Sequence, residues 1–128
     1  MVNKYKGRQE GIPSFDEFAD MLDEAVDRIP ARFCRNLTGG FNLRSEKNRD
    51  GDYYIMGEYV EDGVLGCYIV FYYGSFVALL QAEPLATWEE EIIDTVLHEM
   101  QHHLEALAGR EDLARQEMEE IARALRPG

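Results

Sequence analysis

The chain has 128 residues, enough for one domain with a hydrophobic core but too few for a two-lobed protease. Apolar residues make up 45% of it, which predicts a folded domain, and the net charge of −12 without a basic run argues against nucleic acid as a partner. No stretch approaches the roughly eighteen apolar residues of a membrane span and the first residues lack the apolar core of a signal peptide, so we expect a cytoplasmic protein that does not bind a membrane.

The N-terminal part of the sequence predicts an arm followed by a helix. Residues 1–13 are polar and contain glycine, so we expect an irregular arm, with residues 14–128 forming a single domain. Ser14 and Glu17 have the spacing of a capping box, and Pro30 ends the helix that they begin. An apolar stripe at helical spacing indicates this helix and comprises Phe15, Phe18, Ala19, Leu22, Val26 and Ile29.

The middle of the sequence predicts β-strands. Residues 41–45 alternate between apolar and polar side chains, and residues 53–60 form a second extended run beyond the turn-rich residues 48–52, so these two runs are expected to form a hairpin. Residues 66–73 are rich in β-branched and aromatic side chains, which predicts the strongest strand of the chain. A short helix over residues 75–80 follows. This order of elements predicts an α+β fold.

The last third of the sequence predicts two helices. Thr87 and Glu90 have capping-box spacing at the start of a helix over residues 88–107, whose apolar positions recur at helical intervals. Residues 112–125 predict a second helix that returns antiparallel to the first, with Gly109 as the stop signal between them.

One stretch of the longer helix carries the residues of a metal-dependent hydrolase. His98 and His102 are four residues apart, so on a helix they lie on one face and can point their ring nitrogens at the same ion. Glu99 lies about 100° further round the helix, where it can reach a water molecule beside that ion. This HExxH arrangement is that of zinc-dependent hydrolases, with the glutamate as general base. The ordinary alternative is an amphipathic helix with histidines on its polar face.

The two cysteines are weaker candidates for a site. Cys34 and Cys67 do not have the CxxC spacing of a metal site. In a reducing compartment we expect them to remain buried thiols rather than to form a disulfide.

The order of helix, strands and HExxH helix resembles that of the bacterial mini-zincins, a family of very small zincin-like metallopeptidase domains. The resemblance runs from about Ser14 to about Arg126, and its most specific feature is the doubled His102-His103 within the motif. It implies a minimal zincin-like α+β domain with an N-terminal helix, a small and mostly antiparallel sheet of three to four strands, the HExxH helix and a C-terminal helix. It further implies one Zn²⁺ held by two histidines and a downstream acid, with an edge strand along the cleft.

One departure from the family pattern concerns the third ligand. The pattern HExxHxxGxxD requires a glycine and an acid at positions that Glu105 and Ala108 occupy here. Gly109 and Asp112 have the required mutual spacing about one helical turn later.

Two acids are therefore the main candidates for the third ligand. Asp112 matches the motif, although a longer helix carries it further from the ion. Glu117 is narrowly favoured over it, because counting back along the returning helix places Glu117 opposite the histidines and beside that helix's apolar stripe. Glu120 ranks third.

Together these residues predict a zinc metallopeptidase that hydrolyses a peptide or protein substrate. The substrate is expected to lie along residues 68–73 by edge addition, with Tyr72 or Tyr73 as a hydrogen-bond donor in the cleft, although tyrosines in such a strand more often pack in a core. His103 is expected to support the ligands or to bond a backbone carbonyl. The alternative is a catalytically silent domain that binds metal or dimerises. The aromatic strand is compatible with a homodimer but does not establish one.

Overall fold

The computed structural model describes residues 11–108 and 111–127, without the side chains of residues 108 and 111–113. The first ten residues of the predicted N-terminal arm therefore lie outside the described part of the chain. The helices are α1 (Phe15–Asp27), α2 (Tyr73–Leu80), α3 (Leu85–Ala108) and α4 (Glu111–Leu125), and a single 3₁₀ turn spans Ala31–Cys34. The strands are β1 (Gly40–Arg44), β2 (Asn48–Asp50), β3 (Tyr53–Ile55), β4 (Gly57–Asp62) and β5 (Gly66–Tyr72). The predicted α+β class is confirmed.

Helix α1 begins where the capping box predicts. The Ser14 hydroxyl accepts a hydrogen bond from the backbone N–H of Glu17 at 3.1 Å, and the Glu17 carboxylate accepts one from the backbone N–H of Ser14 at 2.9 Å. Two of the free N–H groups at the helix start are thus satisfied. The apolar face of α1 is buried in the core of the domain through Phe18, Met21, Leu22 and Ala25.

The main sheet has three strands in the order β1-β5-β4, with β4 antiparallel and β1 parallel to β5. Strands β2 and β3 form a separate antiparallel pair. The predicted hairpin between residues 41–45 and residues 53–60 is wrong, because the second run divides at Met56 into β3 and β4, and β1 pairs with β5 instead. Alternation of side chains identifies a strand and its buried face, but the partner is decided by tertiary packing.

Strand β5 lies at the centre of this sheet. Both of its edges are hydrogen-bonded to other strands, so a peptide cannot add to residues 68–73 as the sequence led us to expect. Within the described residues, β4 is bonded to β5 alone and has a free edge. Gly57 of β4 lies against α3, so the free edge of the sheet borders the helix that carries the histidines.

Helix α3 starts three residues earlier than predicted. The backbone N–H groups of Thr87 and Trp88 donate to the carbonyl oxygen of Pro84 at 2.9 and 3.2 Å, so Thr87 lies inside the first turn and is not the N-cap. The first half of the helix buries Trp88, Ile92 and Val96. The Trp88 ring packs on the core of the domain, with its centroid 6.1 Å from that of Phe18.

Helix α4 packs antiparallel to α3, as predicted. Arg126, just beyond the end of α4, forms ion pairs with Glu90 and Asp94 near the start of α3. Cys34 and Cys67 are free and half-buried thiols. Among the helices of the described residues, none combines the length and the apolar character needed to cross a bilayer.

Candidate active site

The two motif histidines converge on one point beside α3. Their Nε2 atoms lie 3.2 Å apart, with the ring planes at 90°, and both side chains are exposed to solvent. Two nitrogen ligands of a tetrahedral zinc ion, each at 2.0–2.1 Å, are separated by about 3.3 Å. The same distance also suits a hydrogen bond between two neutral imidazoles. His98 and His102 therefore fit as two of the donors of one zinc ion.

Glu99 lies on the same helix but is buried, with 5% of its surface exposed. Burial raises the pKa of its carboxyl group to about 7, the backbone N–H of Tyr59 faces the carboxylate and opposes this rise, and the nearby charge of Glu58 adds to it. A carboxyl group with a pKa near neutrality can both take up and release a proton at physiological pH. This is the property that general acid–base catalysis requires.

A cleft of about 420 Å³ separates α3 from the β3–β4 junction. His98 and Glu99 both line it, together with Tyr54, Ile55, Met56, Gly57, Glu91, Asp94 and Thr95. The general-base candidate and one metal-ligand candidate thus face the same cleft. This cleft lies beside Gly57, where the free edge of β4 begins.

Gly57 is a site residue that the sequence reading did not single out. A Cβ atom at this position would lie 3.0 Å from Cγ2 of Thr95 and 3.4 Å from Cγ of Glu99, so glycine lets the edge strand lie directly against the active-site helix. The signal was a single glycine inside an extended apolar run, which commonly marks a close backbone approach.

Tyr59 provides a second contact between strand β4 and α3. Its hydroxyl oxygen lies 3.1 Å from Nδ1 of His103, which is fully buried, and Nε2 of His103 has no hydrogen-bond partner among the described residues. His103 therefore bonds a hydroxyl group and not a backbone carbonyl, which was one of the two roles expected for it. Burial lowers the pKa of His103. The pKa of Tyr59 is raised, mainly by burial and also by a hydrogen bond with the nearby Cys67 thiol. Both groups are consequently neutral near pH 7.

Neither Tyr72 nor Tyr73 reaches the cleft. The Tyr72 hydroxyl donates to Oε1 of Glu58 at 2.6 Å, and the Tyr73 hydroxyl donates to the carbonyl oxygen of Pro13 at 2.5 Å. Burial and the bond to Glu58 raise the pKa of Tyr72 to about 12. The structure therefore assigns both tyrosines to packing and hydrogen bonding elsewhere, and not to a substrate.

Two of the three candidate third ligands, Glu117 and Glu120, are not brought together with the histidines. Glu117 and Glu120 line a hollow beside Arg32 and Phe33, and Glu120 forms an ion pair with Arg32. Among the residues whose side chains are described, no three His, Cys, Asp or Glu side chains form a group that could hold a metal ion. The side chain of Asp112 lies outside the described residues.

The position of Glu117 follows from the rotation of α4 about its own axis. The helix buries Ala114, Ile121 and Leu125. Burial of this apolar face fixes the rotation of α4, and in this rotation Glu117 points towards the 3₁₀ turn. Counting residues along antiparallel helices predicts the level of a side chain but not its direction.

A second hollow, of about 490 Å³, lies at β1 and β5. Its lining contains no histidine and no carboxyl group, and comprises Thr38, Gly39, Asn42, Leu43, Arg44, Leu65, Tyr68 and Val70. It lacks an acid–base pair, so the smaller cleft at α3 is the better candidate for catalysis.

Comparison with known proteins agrees with this fold. A family model described as zincin-like metallopeptidase matches residues 49–124, which span the chain from β2 into α4. The structure is similar to that of a conserved hypothetical protein from T. thermophilus, with a TM-score of 0.68 and 31% sequence identity over 76% of this chain and 99% of that one. Among curated proteins, none matches the sequence.

Proposed function

Because the chain belongs to the zincin-like metallopeptidase family, we propose that it is a zinc-dependent peptidase that hydrolyses peptide bonds with Glu99 as general base. The observation that carries this proposal is the 3.2 Å separation of the His98 and His102 Nε2 atoms beside the cleft that Glu99 lines. The separation matches two nitrogen donors on one ion.

His98 and His102 would hold the zinc ion through their Nε2 atoms. When bound, zinc acts as a Lewis acid that polarises the peptide carbonyl group and makes water more acidic. We assign the third protein donor to Asp112, the remaining acid of the sequence candidates, since Glu117 and Glu120 face Arg32 and Phe33. Replacement of Asp112 by Asn should weaken zinc binding, whereas replacement of Glu117 by Gln should not.

Glu99 would move the protons of the reaction. Its carboxylate takes a proton from the attacking water molecule and later gives it to the leaving amine. Burial supports this role because it raises the pKa of the carboxyl group to about 7, against the opposing effect of the Tyr59 backbone N–H. Close packing of Gly57 against Thr95 keeps the edge strand beside it.

The free edge of β4 would bind the substrate. An extended peptide can pair with an exposed strand edge through main-chain hydrogen bonds, and this brings its backbone past the site without demanding a particular sequence. Strand β4 replaces residues 68–73 in this role, because β5 has no free edge.

The test is hydrolysis of unstructured peptides by protein purified without chelators, with zinc content measured on the same samples. Glu99→Gln should retain zinc and lose at least about a hundredfold in rate. Glu89→Gln removes the same charge from α3 away from the cleft and should behave as the original protein. Unchanged hydrolysis by Glu99→Gln with zinc bound contradicts the general-base role.

A catalytically silent domain that binds metal or dimerises is the second candidate. It is favoured by one observation, that the described side chains supply two convergent donors and no third. Two histidines alone hold zinc weakly. A protein that stays zinc-free in excess zinc and sediments as a homodimer would support this candidate over the peptidase.

A further inference from the structure

The charges that line the cleft are all of one sign. Its lining includes the carboxyl groups of Glu91, Asp94 and Glu99, and no lysine or arginine of the described residues lines it. Asp94 has a counter-ion, because Arg126 pairs with it and with Glu90. Glu99 is faced by the backbone N–H of Tyr59. Glu91 is the remaining carboxyl group of the lining, and it is the candidate for contact with a positively charged ligand.

Glu91 is half-buried at the wall of the cleft, and the described residues form neither an ion pair nor a hydrogen bond with its carboxyl group. Burial raises its pKa, and the neighbouring charges of Asp94 and Glu90 raise it further. Arg126 is already engaged by those two neighbours, and Arg49 stacks on the ring of Tyr54. A half-buried carboxylate of this kind is stabilised when a cation approaches it.

The distance between Glu91 and the histidines indicates which residue of a bound peptide would carry that positive charge. Glu91 precedes His98 by seven residues, which corresponds to about 10 Å along α3. An extended peptide advances about 3.3 Å per residue. A side chain near Glu91 therefore belongs to a residue about three positions from the backbone group that lies at His98.

We propose that the cleft selects peptides carrying lysine or arginine about three residues from the cleaved bond, and that Glu91 is the residue that selects them. The position relative to the cleaved bond rests on the proposed peptidase function. The preference for a positive charge rests on the lining of the cleft alone, so the two parts can fail separately.

The experiment uses a set of unstructured peptides of equal length, each with one lysine at a different position, and a matched set with acetyl-lysine there. Acetylation removes the charge and keeps the side chain. Cleavage sites are mapped by mass spectrometry with the zinc-loaded protein, and binding of the same peptides is measured by fluorescence anisotropy. The variants are Glu91→Gln and, as a control of equal net charge on the same helix, Glu89→Gln.

The original protein should cleave and bind the lysine peptides about threefold to tenfold better than their acetylated counterparts. Glu91→Gln should remove the difference, and Glu89→Gln should preserve it. Equal binding of the two peptide sets, or a preference that Glu91→Gln leaves intact, overturns the inference. Preferential binding of lysine peptides without any hydrolysis would contradict the proposed function and leave the charge selection standing.

Discussion

The two halves of helix α3 bury different kinds of side chain. The first half buries Trp88, Ile92 and Val96, and the one polar atom of the Trp88 ring is satisfied, since its Nε1–H donates to the carbonyl oxygen of Gln81 at 3.1 Å. The second half buries Glu99 and His103, and Nε2 of His103 has no partner among the described residues. The buried side chains of the first half stabilise the fold, whereas in the second half Glu99 and His103 reduce the stability that the buried Met100 and Leu104 provide.

The free energies support this contrast. Full burial of a large apolar side chain contributes about 1.5–3 kcal/mol. An unsatisfied buried polar group costs about 1–3 kcal/mol, and a carboxyl group whose pKa is raised by burial is destabilising wherever it is ionised. Four substitutions test this contrast, two of them in α3 and two in strand β4, which packs against α3.

The largest effect is expected in the first half. Trp88→Ala should lower the free energy of unfolding by about 3–5 kcal/mol, because it removes a fully buried ring from the contact with Phe18 and Phe76. Chemical denaturation measures this loss, and zinc binding per folded molecule should persist. Leu107→Ala, at a half-exposed position of the same helix, is the control and should change stability little. A loss below about 1 kcal/mol for Trp88→Ala would remove the contrast.

Glu99→Gln should act in the opposite direction and stabilise the metal-free protein. The pKa of Glu99 is raised from 4.5 to about 7 in the folded state, so the folded state holds the proton more tightly and stability is lost as pH rises through this window. Above pH 7 the variant should be more stable by about 1–3 kcal/mol, and below pH 4.5 the difference should vanish. Thermal unfolding in the presence of a chelator across pH 4–8 measures it. If Glu99→Gln is less stable than the original protein at pH 8, then the buried carboxylate does not destabilise the fold as described.

Tyr59→Phe, in the strand that packs on the second half of α3, should lower the free energy of unfolding by about 1–2 kcal/mol. The substitution keeps the ring beside His103 and deletes the hydroxyl group 3.1 Å from Nδ1, so the buried imidazole has no described partner at either nitrogen. Tyr68→Phe deletes a hydroxyl group from β5, in the hollow away from α3, and serves as the control. Nitrogen-15 chemical shifts of His103 should change in Tyr59→Phe alone. An unchanged His103 spectrum would show that the bond does not exist in solution.

The smallest effect is expected from Gly57→Ala. A Cβ atom 3.0 Å from Thr95 Cγ2 and 3.2 Å from the Val70 carbonyl oxygen forces the edge strand away from α3, while alanine restricts the unfolded chain, so we expect a net loss of about 1 kcal/mol. Gly63→Ala meets nothing within 4 Å and is the matched control. Equal stability of the two variants would mean that the strand is not held close to the helix.

Local signals in the sequence predicted the helices and β5, but they missed β2, which lies within residues predicted to be a turn. The capping box of Ser14 and Glu17 and the apolar stripe that follows place α1 correctly, because both depend on residues three or four apart. The same short spacing places His98 and His102 on one face. The close approach at Gly57 was also present in the sequence as an isolated glycine in a strand.

Features that depend on distant residues were not predictable in the same way. The parallel pairing of β1 with β5 joins segments more than twenty residues apart, and alternation within each strand does not identify the partner. Glu117, which the sequence placed opposite the histidines, faces the 3₁₀ turn instead, because burial of Ala114 and Ile121 sets the rotation of α4. The third donor depends on that rotation and on the connection between α3 and α4.

X-ray absorption at the zinc edge of the zinc-loaded protein tests the central claim most directly, namely that His98 and His102 bind one ion together. We expect one zinc per chain with two imidazole nitrogens at about 2.0–2.1 Å, falling to one imidazole in His102→Ala and in His98→Ala. A spectrum without imidazole ligands, or one that neither substitution changes, would contradict the account.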